Sequence, residues 1–390
     1  MAGTADRQLV AVQAPAAVVF TRLRAALAGG PAILPLAPRL PGPERDRVLA
    51  ALRPQALVTG SATALLASAE PVAGDVAVVV ATSGSTGIPK GVELTGAALE
   101  ASAGAGLTRI GATEGDRWLC CLPVSHVAGL QVLVRSILLE TAPTLHDRFD
   151  VAAVAGAPAC GVTHTALVPT MLRRLLDAGA DLRGYRRILL GGAAAPAELL
   201  ERAVAAGVRI VTTYGMTETA GGCVYDGVPL DGVEVLIGAD ARIRVRGPVL
   251  ARGYRLRPDL TAGAFAGGTF TTGDLGRWTP DGRLDVIGRA DDVIVTGGEN
   301  VAAGEVAELL ARHPAVAEAA VVGRPDPEWG QRVVAVVVPA DPAAPPDLAQ
   351  LRAFVTAAAA ARHAPRQLVV IDRLPLLPTG KVDREALREL

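Results

Sequence analysis

The chain has 390 residues and a mass of 39.8 kDa, more than one ordinary domain requires, so we expect two domains. Lys and Arg total 38 against 39 Asp and Glu, with no block of like charges, which argues against a nucleic-acid or polybasic membrane surface. Half of the residues are apolar and 20% are charged, which excludes a disordered chain.

Neither cysteine spacing nor hydropathy indicates a secreted or membrane protein. The first thirty residues lack a secretory signal, and the uncharged residues 151–172 contain glycines and prolines that favour a helix followed by a buried strand. We therefore expect a cytoplasmic protein without stable membrane insertion. The cysteines show no CxxC or metal spacing, and we interpret them as small buried hydrophobes in a reducing compartment. They are Cys120, Cys121, Cys160 and Cys223.

Along the first part of the chain, short β-branched runs alternate with Ala- and Leu-rich helical patterns. This alternation predicts parallel strands with covering helices. The predicted strands are residues 76–80, 165–168, 187–190 and 208–211. The predicted helices are residues 99–105, 130–139, 171–178 and 197–206.

From about residue 233 the pattern changes to short strands and Gly-rich turns, which predicts a β-rich lobe. Its predicted strands are residues 234–237, 242–245 and 283–287. A polar segment, residues 288–292, follows, and we place the domain boundary there. Beyond it the pattern predicts a helix at 303–312, strands at 316–322 and 332–339, a Pro-rich loop and a last helix.

Residues 82–92, directly after an apolar strand, form a Ser/Thr/Gly-rich segment that can wrap a phosphate. Hydroxyl and backbone N–H groups would donate, and Lys90 would add a charge. A plain flexible loop is the alternative. The segment is not a Walker A loop, because Pro89 and Gly91 stand where a glycine and a Mg²⁺-binding hydroxyl are needed. The candidate phosphate ligands are Thr82, Ser83, Gly84, Ser85, Thr86 and Gly87.

Two carboxylates stand out. Glu218 lies in an otherwise uncharged stretch beside Thr217. Mg²⁺ prefers a carboxylate plus substrate oxygens, so the pair predicts a magnesium ligand next to a phosphate-contacting hydroxyl, with a surface residue as the alternative. Asp274, in Thr-Gly-Asp, could form a turn, but a carboxylate can also bind two ribose hydroxyls at once.

Seven motifs resemble, in order, those of the acyl-adenylate-forming superfamily, which includes acyl- and aryl-CoA ligases, luciferases and the adenylation domains of peptide synthetases. The resemblance covers about residues 75–390. The motifs are the phosphate loop at 82–92, LPVSHVAG at 122–129, TYGMTE at 213–218, TGD at 272–274, GRADD at 288–292, GGEN at 297–300 and PTGK at 378–381.

This resemblance implies an α/β fold with a large N-terminal α/β domain, residues 1–287, that contains the β-rich lobe and binds AMP and the acyl group. A hinge at 288–292 would lead to a small, mobile α+β C-terminal domain, residues 293–390. The implied reaction uses ATP, Mg²⁺ and coenzyme A: a carboxylic acid is adenylated, and CoA then displaces AMP. The implied partners are the carboxylic acid, ATP and coenzyme A. The only protein partner considered is a second copy of the chain, in a homodimer.

The resemblance also implies functional roles for residues that would otherwise be interpreted as surface or core residues. Lys381, otherwise a solvated lysine, would be the catalytic lysine, and Asp291 would be the hinge residue. His126, otherwise a core histidine, would be a catalytic residue that also contacts the acyl group. Thr217 and Glu218 would complete the catalytic set as the phosphate contact and the Mg²⁺ ligand.

The remaining assigned residues would bind the nucleotide. Tyr214 would stack on adenine instead of only filling the core, and the Gly191-Gly192 pair would let the backbone approach that base. Asp274 would hold the ribose, supported by Arg289. Thr213 and Gly215 complete the nucleotide motif.

One departure concerns the N-terminal region. The phosphate loop begins at residue 82, much earlier than in typical full-length relatives. We therefore expect a shortened N-terminal lobe, so that one wall of the acyl pocket is missing or supplied by a partner subunit. Residues 1–75 receive no assigned role.

The segment 214–233 is most similar to the actinobacterial branch of the superfamily that activates o-succinylbenzoate for menaquinone biosynthesis. Another aryl- or acyl-CoA synthetase, or a stand-alone adenylation enzyme that loads a carrier protein, remains an alternative. CoA-dependent turnover would separate the carrier-loading enzyme from a CoA ligase. A nucleotide-binding regulator without chemistry is disfavoured, because it would have little need of five charged residues together. They are Lys90, Glu218, Asp274, Arg289 and Lys381.

Arg135 bears on which carboxylic acid is the substrate. Residues 128–139 are apolar nearly all round and predict a buried helix, on which Gln131 and Arg135 share a face. A buried guanidinium is costly unless an anion meets it. That anion is either an internal carboxylate or, if this face lines the acyl pocket, the carboxylate of o-succinylbenzoate that does not react, held directly or through a water with Gln131.

Overall fold

The computed structural model describes residues 6–60, 62–82, 89–376 and 382–390, apart from the side chain of Asn300. The chain forms two compact units. The first comprises Met1–Ala195, Leu199–Val235 and Arg244–Thr271, and the second comprises Pro196–Glu198, Leu236–Ile243 and Thr272–Leu390. Ser83–Gly87 of the predicted phosphate loop and the predicted catalytic Lys381 lie outside the described residues.

The described part of the chain contains strands throughout its length and helices that alternate with many of them. The strands are β1 (Leu9–Gln13), β2 (Ala32–Leu36), β3 (Ala56–Thr59), β4 (Ala62–Leu65), β5 (Val76–Thr82), β6 (Lys90–Thr95), β7 (Trp118–Cys120), β8 (Thr144–Leu145), β9 (His164–Leu167), β10 (Arg187–Leu190), β11 (Ile210–Met216), β12 (Gly221–Tyr225), β13 (Val228–Pro229), β14 (Glu234–Ile237), β15 (Arg242–Arg246), β16 (Gly253–Tyr254), β17 (Phe265–Ala266), β18 (Thr269–Trp278), β19 (Leu284–Arg289), β20 (Val293–Thr296), β21 (Glu299–Ala302), β22 (Val316–Asp326), β23 (Gly330–Pro339) and β24 (Gln367–Val370). The helices are α1 (Ala16–Leu27), α2 (Gly42–Leu52), α3 (Gly96–Ile110), α4 (Val127–Leu138), α5 (Val151–Gly156), α6 (Pro169–Asp177), α7 (Ala197–Ala205), α8 (Pro258–Ala264), α9 (Ala303–Leu310), α10 (Leu348–Ala358) and α11 (Arg384–Glu389).

Two seven-stranded sheets form the first unit. Their strand orders are β16-β6-β5-β2-β1-β3-β4 and β13-β12-β11-β10-β9-β7-β8. The central pairings of both sheets are parallel, as the alternation of strands and helices predicted. Strand β5 is buried along Val76–Val80, which matches its continuous run of valine and alanine and the burial of parallel strands on both faces.

Helices α1, α3 and α4 lie between the two sheets. Their apolar side chains share one core with the facing strands, including Leu23 of α1, Leu99 of α3 and Leu130 of α4. On the far side of the first sheet, α2 packs Val48 and Leu52 against β1 and β2. Helices α5, α6 and α7 cover the far side of the second sheet. This layering places α4, with its predicted site residues, inside the unit.

Two further sheets follow along the chain. The third has the order β14-β15-β18-β17, with β19 beside β18, and corresponds to the predicted β-rich lobe. The fourth has the order β21-β20-β23-β22, with β24 beside β23. Helices α9 and α10 cover one face of the fourth sheet, and Leu387 of α11 packs against its other face.

Two sequence predictions are confirmed at both ends, namely the strands at 187–190 and 234–237. Others are longer or shifted: the helix predicted at 99–105 spans Gly96–Ile110, because Thr95 caps its start and Gly111, at φ +66°, ends it. The last predicted helix proved to be α10, after which β24 and α11 follow.

The structure shows the exposure of the four cysteines and the hydropathy of the helices. Cys160 is exposed, whereas Cys120, Cys121 and Cys223 are buried, so the interpretation of all four cysteines as buried residues was wrong for Cys160. It lies at the end of a single turn of 3₁₀-helix, Ala157–Cys160, that leaves its side chain at the surface. Within the described part of the chain, we find no helix with the length and hydropathy needed to cross a bilayer.

Candidate active site

The two described ends of the predicted phosphate loop are held together by strand pairing. Thr82, at the end of β5, is the register partner of Lys90, at the start of β6. The Thr82 hydroxyl donates to the carbonyl oxygen of Lys90 at 3.3 Å. The segment between them therefore leaves and re-enters the sheet at neighbouring points, beside the predicted cationic side chain.

The predicted nucleotide-binding residues meet at the carboxyl ends of β10 and β11, which run parallel. Gly191 follows β10, and a Cβ atom there would clash with Oγ1 of Thr213 on β11. That hydroxyl donates to the carbonyl of Leu190 at 3.3 Å. The carboxyl edge of a parallel sheet is where α/β proteins bind ligands, and glycine at this point lets backbone and ligand approach closely. Gly192, Tyr214 and Gly215 lie at the same edge.

Thr217 and Glu218 lie in the turn that joins β11 to β12. The hydroxyl of Thr219 closes this turn: it accepts from the backbone N–H of Met216 at 3.0 Å and donates to the carbonyl of Gly221 at 2.7 Å. The turn contacts β6, the strand that begins at Lys90. The fold thus brings the predicted magnesium ligand close to the strand that carries the predicted phosphate-binding lysine.

Tyr254 holds the carboxylate of Glu218. Its hydroxyl donates to Oε1 of Glu218 at 2.8 Å, and the backbone N–H of Ala251 donates to the Glu218 carbonyl at 2.8 Å. Tyr254 is on β16, which pairs with β6 in the register Tyr254 to Val92. A carboxylate fixed by one phenolic hydroxyl keeps lone pairs for a cation, which suits an ion that takes its other ligands from phosphates and water.

His126 occupies the N-cap position of α4, with an extended backbone at φ −111°. Its backbone N–H donates to the carbonyl of Pro123 at 3.1 Å, and its carbonyl accepts from Leu130 at 2.9 Å. The side chain is half-buried, so it is not the fully enclosed core histidine considered from the sequence.

Helix α4 is buried from Gly129 to Ser136, as its apolar sequence predicted. Gln131 lies inside, where its amide nitrogen donates to the carbonyls of Leu99, at 3.2 Å, and Ala220, while Oε1 is enclosed without a partner. Gln131 therefore fixes the segment that follows Glu218, and its amide donors are engaged by protein carbonyls.

Arg135 is only 3% exposed, yet among the described residues it contacts no carboxylate. Its Nη2 donates to the hydroxyl of Tyr225 at 3.0 Å, and its guanidinium carbon lies 5.1 Å from the ring centre of Trp118. Nε is enclosed without a hydrogen-bond partner. The internal ion pair considered from the sequence is thus not formed, and a buried positive charge remains without a counter-charge in the described part of the chain.

His164, on β9, is a second buried polar residue that contacts Trp118. His164 stacks on Trp118, with ring centres 5.1 Å apart, and its Nδ1 lies 3.8 Å from Oδ1 of Asp116. Burial lowers the pKa of His164 to about 4, despite the opposing effect of Asp116. Arg186 pairs with Asp116 at 3.0 Å. Asp116 is therefore engaged by Arg186, and His164 is neutral at pH 7.

The predicted ribose and hinge residues are joined in the second unit. Asp274 and Arg289 are register partners on β18 and β19, with Arg289 Nη1 3.5 Å from Oδ1 of Asp274. The same guanidinium donates to both carboxylate oxygens of Asp291, at 2.9 and 3.2 Å. These hydrogen bonds are the main cause that lowers the pKa of Asp291. Arg289 therefore connects the predicted ribose carboxylate to the predicted hinge residue.

Two further predicted segments are described at least in part. Gly297 and Gly298, at φ +59° and +79°, form the two-residue turn of the β20–β21 hairpin, in which Thr296 pairs with Glu299. On either side of the segment that contains Lys381, Leu376 and Val382 form an antiparallel bridge.

Three aromatic residues in these contacts were not identified from the sequence: Trp118, Tyr225 and Tyr254. Their partners are 17, 90 and 36 residues away, so no local motif reveals them. The one sequence feature that could have pointed to them is that these residue types are rare, since the chain has 3 Trp and 4 Tyr.

Comparison with known proteins gives consistent matches. Residues 63–255 match the family described as AMP-binding enzyme, and residues 305–381 match the AMP-binding enzyme C-terminal domain. A probable 2-succinylbenzoate–CoA ligase of Mycobacterium tuberculosis is 45% identical over 331 residues, covering 82% of this chain and 85% of that protein. A 2-succinylbenzoate–CoA ligase of Listeria monocytogenes is 34% identical, covering 80% and 69%.

Solved structures match over nearly the whole chain. The o-succinylbenzoate CoA synthetase of Bacillus subtilis, in complex with the acyl-adenylate intermediate OSB-AMP, has a TM-score of 0.86 at 31% identity, covering 98% of this chain and 88% of that one. The amide bond synthetase McbA of Marinactinospora thermotolerans has a TM-score of 0.88 at 27% identity, covering 98% and 89%. Proteins named for different products share this architecture, so the fold alone does not identify the acid or the acceptor.

Proposed function

Since the chain belongs to the family of AMP-binding enzymes, we propose that it is a 2-succinylbenzoate–CoA ligase that works through an acyl-adenylate. In the first step a carboxylate oxygen of the acid attacks the α-phosphorus of ATP, and the bond to pyrophosphate breaks. In the second step the CoA sulfur attacks the acyl carbon, the bond to AMP breaks, and the thiol proton is released. The activated intermediate divides one difficult condensation into two displacements.

The proposed phosphate site combines the loop from Thr82 through Gly87 with Lys90. The pairing of Thr82 with Lys90 supports it, because the two ends of the loop are fixed on one sheet edge. Adenylation needs little proton transfer, so positioning and positive charge carry most of this step.

The proposed nucleotide site uses the edge formed by Gly191, Gly192 and the β11 residues Thr213, Tyr214 and Gly215. The close approach of Gly191 to Thr213 supports it, since this edge has room for a flat base only where side chains are small. Asp274, with Arg289 as its neighbour, is the proposed ribose ligand.

Glu218, positioned by Tyr254, is the proposed magnesium ligand, and Thr217 the neighbouring phosphate contact. One carboxylate completed by phosphate oxygens and water fits the coordination that Mg²⁺ prefers. When bound, the ion would neutralise negative charge on the phosphates.

Lys381 is the proposed catalytic lysine and acts in adenylation only. We propose that the hinge lies at residues 288–292, with Asp291 as its pivot, between an N-terminal domain of residues 1–287 and a mobile C-terminal domain of residues 293–390. Rotation there would exchange Lys381 for the Gly297-Gly298 turn between the two steps. The bidentate pairing of Arg289 with Asp291 supports a defined hinge conformation.

The acid is proposed from Arg135, the observation that carries the substrate assignment. A guanidinium 3% exposed without a carboxylate partner among the described residues needs an anion from elsewhere. 2-Succinylbenzoate has two carboxylates, one that is activated and one that does not react, and the second can supply that anion. His126, at the start of the same helix, is proposed to contact the reacting end, and Gln131 to shape the wall between them.

The test is a pyrophosphate-release assay with purified protein, MgATP and 2-succinylbenzoate, run with and without CoA. We expect one equivalent of pyrophosphate without CoA and continuous turnover with it, yielding AMP and a thioester identified by mass spectrometry. Turnover with a carrier protein but not with CoA would instead identify a carrier-loading enzyme. Absence of pyrophosphate release with this acid would reject the substrate.

Two expectations complete the proposal. The enzyme is proposed to act in the cytoplasm, where its three small-molecule substrates are available, and to form a homodimer. Light scattering coupled to size-exclusion chromatography tests the second point.

A further inference from the structure

Tyr225 is the hydrogen-bond partner of Arg135, and its position is tightly defined. It is 1% exposed, at the end of β12, and its hydroxyl accepts from Arg135 Nη2 at 3.0 Å. Two glycines make room for its ring: a Cβ atom at Gly106 of α3 would lie 2.7 Å from the Tyr225 hydroxyl, and one at Gly222 would lie 2.7 Å from its Cε1. Three elements therefore fix where this hydroxyl lies.

The same strand links the arginine to the nucleotide motif. Tyr225 is the register partner of Thr213, the residue that closely approaches Gly191. Helix α4, which carries Arg135, packs against β12 as well. A displacement of Tyr225 would therefore act on the direction of Arg135 relative to the nucleotide edge.

Among the described residues, the contacts of Arg135 orient its guanidinium but do not balance its charge. Trp118 covers the guanidinium, and Tyr225 takes one N–H of Nη2. A neutral hydroxyl satisfies one donor without neutralising the charge, and it limits the rotamers that a long side chain could otherwise adopt. Nε remains without a hydrogen-bond partner among the described residues.

We propose that Tyr225 is a positioning residue for acid selection: its hydroxyl aims Arg135 so that acids with a second carboxylate are preferred over acids with one. This inference rests on the proposed function, in which Arg135 binds the carboxylate that does not react. It adds a residue that touches neither ATP nor the reacting carboxylate. It also assigns a purpose to Gly106 and Gly222, which admit the ring.

The experiment compares 2-succinylbenzoate with 4-phenyl-4-oxobutanoate, which lacks the second carboxylate, in the wild-type enzyme and in Tyr225→Phe. Loss of a hydrogen bond to a charged group should lower the ratio of the two kcat/KM values about tenfold or more, through KM for the dicarboxylic acid. KM for ATP and the kinetics of the monocarboxylic acid should remain within about twofold.

Tyr185→Phe is a matched control. Tyr185 is also 1% exposed, and its hydroxyl donates to the Val154 carbonyl at 2.7 Å in a different core of the same unit. This variant loses a buried hydrogen bond without touching Arg135, so it should leave the substrate ratio unchanged. An equal fall of the ratio in Tyr185→Phe would overturn the proposal, because the effect would then be a general loss of packing.

Arg135→Ala separates the inference from the function on which it rests. If Arg135→Ala lowers the ratio but Tyr225→Phe does not, Arg135 binds the second carboxylate and Tyr225 does not position it. If neither variant changes the ratio, the carboxylate assignment of Arg135 fails as well. The double variant should lose no more than Arg135→Ala alone, since both changes remove the same interaction.

Gly106→Ala provides a second route if Tyr225→Phe folds poorly. Alanine is favourable in a helix, and its Cβ would press on the Tyr225 hydroxyl while both interacting residues remain. The ratio should again fall. A folded Gly106→Ala enzyme with the wild-type ratio would contradict the proposal.

Discussion

The hydroxyl of Tyr254 donates a hydrogen bond of 2.8 Å to Oε1 of Glu218, although the two residues are 36 positions apart. Through this bond the turn after β11 is tied to β16, which itself pairs with the strand that begins at Lys90. The proposed cation ligand is therefore held from the phosphate side of the site.

Tyr254→Phe should weaken the use of magnesium in adenylation. Without the hydroxyl, the carboxylate of Glu218 can rotate, so we expect a higher Mg²⁺ concentration for half-maximal pyrophosphate release and a roughly tenfold lower rate. Thioester formation from supplied acyl-adenylate should be unaffected. A Mg²⁺ titration identical to that of the wild type would show that Tyr254 has no part in positioning Glu218.

Lys381→Ala should abolish adenylate formation and largely spare thioester formation when acyl-adenylate is supplied. The ammonium is proposed to contact charge that develops only in the first transition state, so its loss should lower kcat of that step ~10²–10³-fold. Single-turnover measurements of each half-reaction test this. Equal losses in both would contradict the assignment.

Asp291→Pro should allow the first half-reaction and block the second, because fixing φ at residue 291 restricts rotation of the hinge. The substitution also removes the carboxylate that Arg289 binds at 2.9 Å, so Asp291→Ala is the necessary control. The control loses the ion pair but keeps backbone freedom, and it should retain both steps. Normal rates of both steps in Asp291→Pro would place the hinge elsewhere.

Arg135→Ala should raise KM strongly for 2-succinylbenzoate and much less for 4-phenyl-4-oxobutanoate. Arg135→Met, which keeps the bulk of the side chain, should in addition leave the melting temperature unchanged or raise it, because a buried charge without a counter-charge does not favour folding. A large fall in melting temperature for Arg135→Met would indicate a structural role instead.

His164 should make stability depend on pH. Its pKa in the fold is about 4, below the ordinary value of 6.5, so the unfolded chain binds more protons between these values. Above about pH 6.5 the imidazole is neutral in both states and has no effect on stability. As the pH falls toward 4, proton binding by the unfolded chain lowers the unfolding free energy, by about 3 kcal/mol in full.

Urea unfolding at several pH values tests this, with His164→Gln compared with the wild type. The variant should show a shallower fall in unfolding free energy across that window. His363→Gln, a change in the other unit, serves as control and should follow the wild type. Parallel curves for His164→Gln and the wild type would contradict the expectation.

Local patterns predicted some elements better than others for physical reasons. The strand at Arg187–Leu190 was located at both ends because an apolar run stops at a glycine pair. Strands β1 and β2 were not assigned, although both are apolar, since Ala- and Pro-rich segments beside them gave no clear period. Strand β24 and helix α11 follow α10, which the sequence pattern predicts as the last helix.

The site was predictable where its chemistry is contained in short motifs and not where it depends on packing. Thr217 and Glu218 are adjacent in sequence, and the structure keeps them in one turn. The partners of Arg135 could not be foreseen, since Tyr225 is 90 residues away and the bond exists only because two glycines admit a ring beside α4. From the sequence alone, an internal ion pair of Arg135 and a contact of Arg135 with the substrate are therefore equally compatible.

The contact between Trp118 and Arg135 also has an optical consequence. The chain has three tryptophans, and Trp118, the one in the first unit, contacts Arg135. Its indole N–H is enclosed without a partner among the described residues. An indole next to a positive charge experiences an electric field that an arriving carboxylate would cancel. A variant that keeps Trp118 but replaces Trp278 and Trp329 by phenylalanine would thus carry an intrinsic fluorescent sensor, whose emission reports occupancy of Arg135 without any added dye.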